Sequence, residues 1–316
     1  NHSDWFGGGI IFAWSDPSVI NTVISGNSAW WGGGGIMALE SGFTLEGSTV
    51  SDNFSFGGGG GIFAWGPLAD GVEPPTIEDC LITRNETDSD GGGILLEEDL
   101  DAVISRTFVV NNHASGYIGG IDVVSTSTTI NNVTVSGNTS GNGGGIGISD
   151  NANVDIANSI VWGNTSTEVM LQSGSANVNY SNIEGGYDGM NNINADPLFI
   201  SASPGVGMDY GLQLGSPCID AGTADLDQDG TDDITDFLGS APDMGASETL
   251  NFGLTNFTLE SSFVTAVSGS MLISADIFGD IVADQVTATI KDVTTGELSE
   301  IALTESAGTW SGSWVP

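Results

Sequence analysis

The sequence predicts an all-β chain: a right-handed parallel β-helix over residues 1–248, followed by a partial Ig-like β-sandwich over residues 249–316. Three observations predict it. A Gly-Gly-Gly-Ile element recurs about every 26 residues. An Asn precedes each recurrence by a short, nearly fixed interval. The period fades after Asn164 and gives way, from Phe263, to simple apolar alternation.

The Gly runs end at Ile10, Ile36, Ile62, Ile94 and Ile146, with a weaker Gly-Gly-Ile ending at Ile121. The preceding residues are Asn1, Asn27, Asn53, Asn85, Asn112 and Asn138, and Asn164 continues the series at spacings of 26, 26, 32, 27, 26 and 26. The long spacing holds Gly66-Pro67 and Pro74-Pro75, punctuation that marks an insertion loop. Three residues before the Asn lie Ile24, Val50, Ile82, Val109, Val135 and Val161. Eight before lie Val19, Leu45, Ile77, Ile104, Ile130 and Ile156. Six before lie Asn21, Gly47, Asp79, Arg106, Asn132 and Asn158, mostly turn formers. Short β-branched segments between turns read as strands, three to a unit. A coil of three strands buries its Ile and Val only against the coils above and below, so the units must stack. The Gly runs suit a bend that side chains could not follow. The repeated Asn suits αL geometry, and its amide can hydrogen-bond the same amide one coil away.

Residues 165–200 read as shorter final coils and 201–248 as an irregular cap. Beyond Leu250, alternation at Met271, Ile273, Ala275 and Ile277, at Val286, Ala288 and Ile290, and at Ile301 and Leu303 reads as an antiparallel sandwich. An Ig-type domain takes about 100 residues and about seven strands, so this one reads as short of its last strands. The chain opens inside a repeat at Asn1 and stops in a strand pattern at Pro316, the expectation for a piece of a longer secreted polypeptide.

Charge excludes several functions. With 3 Lys+Arg against 41 Asp+Glu the formal charge is -38. No basic stripe exists to displace counterions from nucleic acid or to dock on anionic lipid. The 39% apolar fraction argues for a folded chain. No apolar run reaches the roughly 18 residues of a membrane span, so no membrane insertion is expected. Cys80 and Cys218 lack a metal-type spacing.

Two family resemblances rest on these residues. The units Ile24-Ser25-Gly26-Asn27 with Gly33-Gly34-Gly35-Ile36, and Val135-Ser136-Gly137-Asn138 with Gly143-Gly144-Gly145-Ile146, resemble the FxxN and GGAI repeats of polymorphic outer-membrane proteins and autotransporter-like adhesins. Here Val or Ile stands in place of Phe. The cap series Asp196-Pro197-Leu198-Phe199, Leu212-Gln213-Leu214-Gly215-Ser216-Pro217-Cys218-Ile219-Asp220-Ala221-Gly222 and Asp243-Met244-Gly245-Ala246-Ser247-Glu248 is similar to the closing signature of secreted bacterial β-helix proteins of the choice-of-anchor Q type, in the pectate-lyase-like superfamily. Cys218 departs from the small residue of that pattern. The resemblance covers residues 1–248 and implies an extracellular, cell-surface location; it implies no particular reaction.

The strongest chemical motif runs from Asp225 to Asp236. Counted from Asp225, Asp227, Asp229, Asp233 and Asp236 fall at positions 3, 5, 9 and 12, with Gly230 at 6 and Thr231 at 7. That is the oxygen-ligand spacing of a calcium loop, here without flanking helices. Bound Ca²⁺ would be structural, relieving repulsion among the carboxylates.

Asn1, Asn53, Asn85, Asn132, Asn138, Asn164, Asn179 and Asn256 head Asn-x-Ser/Thr and are candidate glycan sites. Ladder and glycan compete for the same amide. Trp5, Trp30, Trp31, Phe56 and Tyr117 fall in the loop before the Gly run and predict an aromatic row that stacks on sugars or on a partner; the competing reading has the rings covering their own loops.

The expected function is an extracellular, non-enzymatic surface or structural protein: an adhesin, or a fibre or sheath subunit assembling head to tail. Its partners are then copies of itself or cell-surface glycans. The alternative is a polysaccharide-active enzyme on the helix, and a third reading is a carbohydrate-binding module. A lyase needs a base, and the helix offers only Arg84 and Arg106. A glycosidase needs two carboxylates about 5–9.5 Å apart, and spacing alone ranks no pair. Glu97, Glu98, Asp99 and Asp101 read as a solvated turn; His2 and His113 share one repeat position and form no triad.

Overall fold

The structure is a computed structural model that describes residues 1–68, 71–201 and 209–249, with the strands Phe252–Leu259, Met271–Gly279, Val286–Lys291, Leu298–Ser306 and Thr309–Trp314 beyond them. Every regular element among the described residues is a strand. The chain divides into two units, Asn1–Phe237 with Ala241–Thr249, and Leu238–Ser240 with Leu250–Pro316.

The first unit is a parallel β-solenoid. Each of the first six coils carries four strands, one more than the pattern predicted, and the seventh carries three. Sheet I collects the two-residue strands just after each ladder Asn, from His2–Ser3 to Thr139–Ser140. Sheet II follows the Gly run, from Ile10–Ala13 to Val169–Leu171. Sheet III runs from Ser18–Ile20 to Gly174–Asn179, and sheet IV, before the Asn, from Val23–Ser25 to Asn182–Ile183. Sheets II, III and IV have seven strands each, one from every coil. The sheet I segments are too short and too polar to show periodicity, which is why the sequence hides them.

Register is kept throughout. Ile10, Ile36, Ile62, Ile94, Ile121 and Ile146 pair in one column of sheet II. The long repeat does not disturb it: Ile62 pairs with Ile94, and Ile77 with Leu45. The extra residues therefore leave at the corner between Ile62–Trp65 and Thr76–Glu78. Inside, Ile36, Leu45, Val50 and their column mates in the middle coils are fully buried, while Ile10 and Val19 of the first coil are partly buried. Each such side chain contributes about 1.5–3 kcal/mol relative to exposure.

The Gly run is required by close approach of backbones. A Cβ on Gly34 would stand 2.4 Å from the Gly60 carbonyl oxygen of the next coil. Left-handed geometry falls elsewhere than predicted. The ladder Asn is not the αL residue; the residue before it is (Gly26, Asp52, Arg84, Asn111, Gly137 and Gly163), as is the tight-turn position from Asn21 to Asn158. The turn rotates the chain just ahead of the Asn, which keeps the Asn itself extended and its side chain directed inward.

A second ladder was not foreseen. Just after the tight turn, Ser48 accepts from the Thr22 amide (3.0 Å), Thr107 from Cys80 (3.2 Å) and Ser159 from Val133 (3.1 Å). Cys80 belongs to this column. Its buried thiol donates to the Glu78 carbonyl, and burial pushes its pKa up to about 11, so it acts as packing material.

The segment expected as a cap lies along the outward side of sheet IV. Leu212, Cys218 and Met244 form a small core with Ile160. Asn132 donates to the Asp243 carbonyl (3.0 Å), and the Ala246 amide donates to Thr134 (3.0 Å). In the second unit, five antiparallel strands form one hydrogen-bonded series in the order Phe252–Leu259, Met271–Gly279, Thr309–Trp314, Leu298–Ser306, Val286–Lys291.

Candidate functional site

The outward face of sheet II carries one column of side chains that reads Ile11, Met37, Phe63, Leu95, Asp122, Gly147 along successive coils. The loops of sheet I fold over this column, so Met37, Phe63 and Leu95 form a small buried cluster outside the main core, joined by Phe6, Leu39, Trp65 and Val124. Asp122 breaks the column with a carboxyl group, and Gly147 then carries no side chain, so Ile118 and the Asp122 carboxyl occupy its place. A Cβ at Gly147 would meet Ile118 at 2.4 Å and the Asp122 Oδ1 at 2.7 Å. The missing side chain thus gives the carboxyl its room.

The result is a cavity of about 270 Å³ walled by Asp90, Glu97, Asp122 and Asp150, with Tyr117 and Met170 beside them. Asp122 is 7% exposed. Burial first, then the charges of Asp90 and Glu97, push its pKa up to about 7, against the Val123 backbone amide, which lowers it. Glu97 is raised too, by burial and then by Glu98, Asp90 and Asp150. One oxygen of Asp90 accepts the Tyr117 amide at 2.6 Å. A buried carboxyl with a raised pKa thus shares the cavity with three further acidic side chains, a combination that marks candidate functional sites. Reading the acids as a turn placed Glu98, Asp99 and Asp101 in their exposed positions but missed that Glu97 faces the cavity. The signal was present in the sequence, because Asp122 follows Gly-Gly-Ile where other coils carry Ile, Met, Phe or Leu.

The acidic loop brings together three of its six candidate ligands. Ligand oxygens of Asp225, Asp227 and Asp229 lie within 4.8 Å of one another, the one such trio among the described residues. Amides of Asp229 and Gly230 donate to the two oxygens of Asp225 (3.1 and 3.0 Å), and the Asp229 amide also reaches Asp227. Gly230 supplies the left-handed turn at φ +92. Asp233 instead accepts the Leu226 amide at 2.8 Å, and Thr231 and Asp236 stand outside the trio. Each carboxylate oxygen in the trio keeps a second lone pair, so the hard-oxygen set fits Ca²⁺, completed by water.

The aromatic candidates are all solvent-facing: Trp5, Trp30, Trp31 and Tyr117 are at least half exposed, and Phe56 is 41% exposed. Trp5 and Trp31 sit one coil apart, the Trp31 amide donating to the Trp5 carbonyl (3.0 Å). Trp30 meets Phe56 at 4.6 Å between ring centroids, and Phe56 meets Phe54 edge-on at 4.7 Å. Tyr117 stands apart from these rings, at the acidic cavity.

Residues 3–140 match the family model of the right handed beta helix region. No curated protein and no solved structure matches the chain. The match spans the coils that carry Trp5 to Tyr117 and Asp122, so the aromatic row and three of the four cavity acids, Asp90, Glu97 and Asp122, lie within it.

Burial separates the sequons on the β-helix. Asn53, Asn85, Asn132 and Asn138 are buried, each with its Nδ2 already donating: Asn53 to Ile24 and Asn85, Asn138 to Val109 and Asn164, for example. Asn164 is half-buried and donates to Val135 and Glu168. A glycan at these five positions would require the coil to open. Asn1 is exposed and Asn179 half-buried on an edge; the Asn256 side chain lies outside the described residues.

The cations of the β-helix are engaged in turn contacts. Arg84 forks onto Asp52 (2.8 and 2.7 Å), and Arg106 onto Asp79 with Glu78 beside it. His2 touches Ser28 (2.8 Å) and Asp4 (3.3 Å), the residue types of a hydrolytic triad. The Asp4 side chain is 89% exposed, however, and water screens it from holding an imidazolium as the buried Asp of a triad does.

Proposed function

We propose that this chain is an extracellular, non-enzymatic surface protein whose β-helix presents an aromatic edge to cell-surface glycans. The observation that carries the reading is the placement of Trp5, Trp30, Trp31 and Phe56. These rings are exposed, yet their loops are tied coil to coil by backbone hydrogen bonds, Trp30 to Ser3, Trp31 to Trp5 and Phe56 to Ala29. Rings on a fixed backbone lose little freedom on binding, and coils repeat at the roughly 4.8 Å strand spacing. A flat sugar face can stack on such rings. The choice-of-anchor Q resemblance supports the surface location, and its motif residues Leu212, Cys218 and Met244 make up the small core against sheet IV. We read residues 249–316 as an Ig-like module, a reading supported by five antiparallel strands, and the Asp225–Asp229 trio as a structural Ca²⁺ site.

Binding of the full chain to an array of neutral and acidic glycans tests the function. Trp31→Ala and Trp5→Ala should each weaken binding about tenfold, since about 1.4 kcal/mol is one decade, with thermal unfolding unchanged. Glycan binding insensitive to both substitutions would overturn the aromatic-edge reading.

A further inference from the structure

We propose that the cavity walled by Asp90, Glu97, Asp122 and Asp150 binds a primary ammonium group carried on a small organic scaffold, the chemistry shared by an amino sugar with a free amine and a lysine side chain. This goes beyond the aromatic-edge reading and does not depend on it.

The argument begins with Asp122. It occupies an apolar column, is more than nine-tenths buried, and among the described residues its one hydrogen-bond donor is the Val123 backbone amide. Its carboxyl lines the cavity, with Oδ1 packed over Gly147 beside the Ile118 side chain. A buried carboxyl with so few donors is costly unless a cation reaches it. None is supplied among the described side chains: no residue walling the cavity is Lys, Arg or His, and Arg84 and Arg106 are committed to other acids. Three more carboxyl groups surround the same space and sharpen its attraction for positive charge.

The geometry also selects the kind of cation. A bare Ca²⁺ needs oxygens at about 2.3–2.6 Å, so three ligating oxygens must lie within about 5 Å of one another. The carboxyl groups here are spread more widely, since the one trio that close lies in the Asp225 loop. The cavity, at about 270 Å³, is larger than a single ion requires. An ammonium group donates three hydrogen bonds in separate directions, which suits spread acceptors. The rest of the lining suits an organic body. Ile118 and Met170 offer apolar wall, the half-exposed Tyr117 ring can lie against a stem or a cation, and Ser149 and Gln172 can meet hydroxyls.

Titration calorimetry of the full chain at pH 8 and low salt tests this with methyl glucosaminide, N-acetylglucosamine, Nα-acetyl-lysine amide and calcium chloride. At least one free amine should bind, and at least tenfold more tightly than N-acetylglucosamine, whose nitrogen is neutral. Whether the sugar or the lysine amide binds more tightly identifies the source of the ammonium. Asp122→Asn should weaken amine binding at least tenfold, and Glu97→Gln, on the cavity wall, several-fold. The proposal is overturned if neither amine binds, if acetylation makes no difference, or if amine affinity survives in both folded variants. Calcium competing one-for-one with the amine and losing its binding in Asp122→Asn would also overturn it, by making the cavity a metal site.

Discussion

The Oδ1 of Asn138 accepts two hydrogen bonds from Asn112, one from its backbone amide (2.9 Å) and one from its side-chain amide (3.0 Å). The same double contact joins Asn27 to Asn53, Asn53 to Asn85, Asn85 to Asn112 and Asn138 to Asn164. At the last rung Glu168 takes the place of the next Asn, its carboxylate accepting the Asn164 amide (3.0 Å) and Nδ2 (2.5 Å).

Removing one rung should therefore leave buried donors on the preceding Asn without partners and take one of two donors from the Asn that follows. Asn112→Ala orphans the Asn85 amide and one N–H of its Nδ2, whose other N–H stays on the Val50 carbonyl, and removes the side-chain donor to the Asn138 oxygen, which keeps the backbone amide of residue 112. Each buried unsatisfied group costs about 1–3 kcal/mol, so the loss should exceed 2 kcal/mol in denaturant unfolding. Asn179→Ala, on the exposed end of sheet III, should cost under about 0.5 kcal/mol.

Stability should fall as pH rises from about 4 to 7. Burial raises Asp122 and Glu168 to about 7 and Asp243 to about 6. The native state then holds protons that the unfolded chain has released, and the unfolding free energy declines with pH across that window. For Asp122 alone the span from 3.8 to about 7 amounts to roughly 4 kcal/mol. Asp122→Asn should flatten the profile and raise the melting temperature at pH 8 while changing little at pH 4. A melting temperature that climbs between pH 5 and pH 8 would sink this account.

Calcium should stabilise through the Asp225 loop. At a hundredfold excess over Kd, ligand linkage contributes about 2.7 kcal/mol. Calorimetric scans with and without EDTA should separate for the natural chain and coincide for Asp227→Asn. Identical scans for the natural chain would remove Ca²⁺ from the description.

In a host that glycosylates sequons, mass mapping should find sugar at Asn179 or Asn1 and none at Asn53, Asn85, Asn132 or Asn138, whose side chains are buried and bonded. Occupancy at Asn138 in folded protein would mean that the ladder opens or forms after modification.

The coil was legible in the sequence because its physics is periodic. Buried Ile, close-packed Gly and hydrogen-bonded Asn each recur once per turn and mark their columns. What escaped was aperiodic or too short: the two-residue strands of sheet I, the Ser/Thr column in which Cys80 substitutes, and the packing of Leu212, Cys218 and Met244 against sheet IV, which depends on contacts such as Asn132 with Asp243. The αL assignment failed by one residue because an Asn and the Gly or Asp before it are both plausible occupants of that geometry. The acidic cavity was readable only as a defect in a column. Counting acids hid it, whereas comparing Asp122 with Met37, Phe63 and Leu95 exposes it.

Glu168 gives the solenoid a grammar. Each Asn both receives from the rung before and donates to the rung after, so duplicating or deleting a coil leaves every remaining rung satisfied. A carboxylate only receives, so the series stops where one appears. A coil inserted within the Asn-bearing stretch would keep the ladder paired, while the single acid at its end fixes where the ladder stops. Replacing Glu168 with Asn would remove that punctuation and present an unread rung.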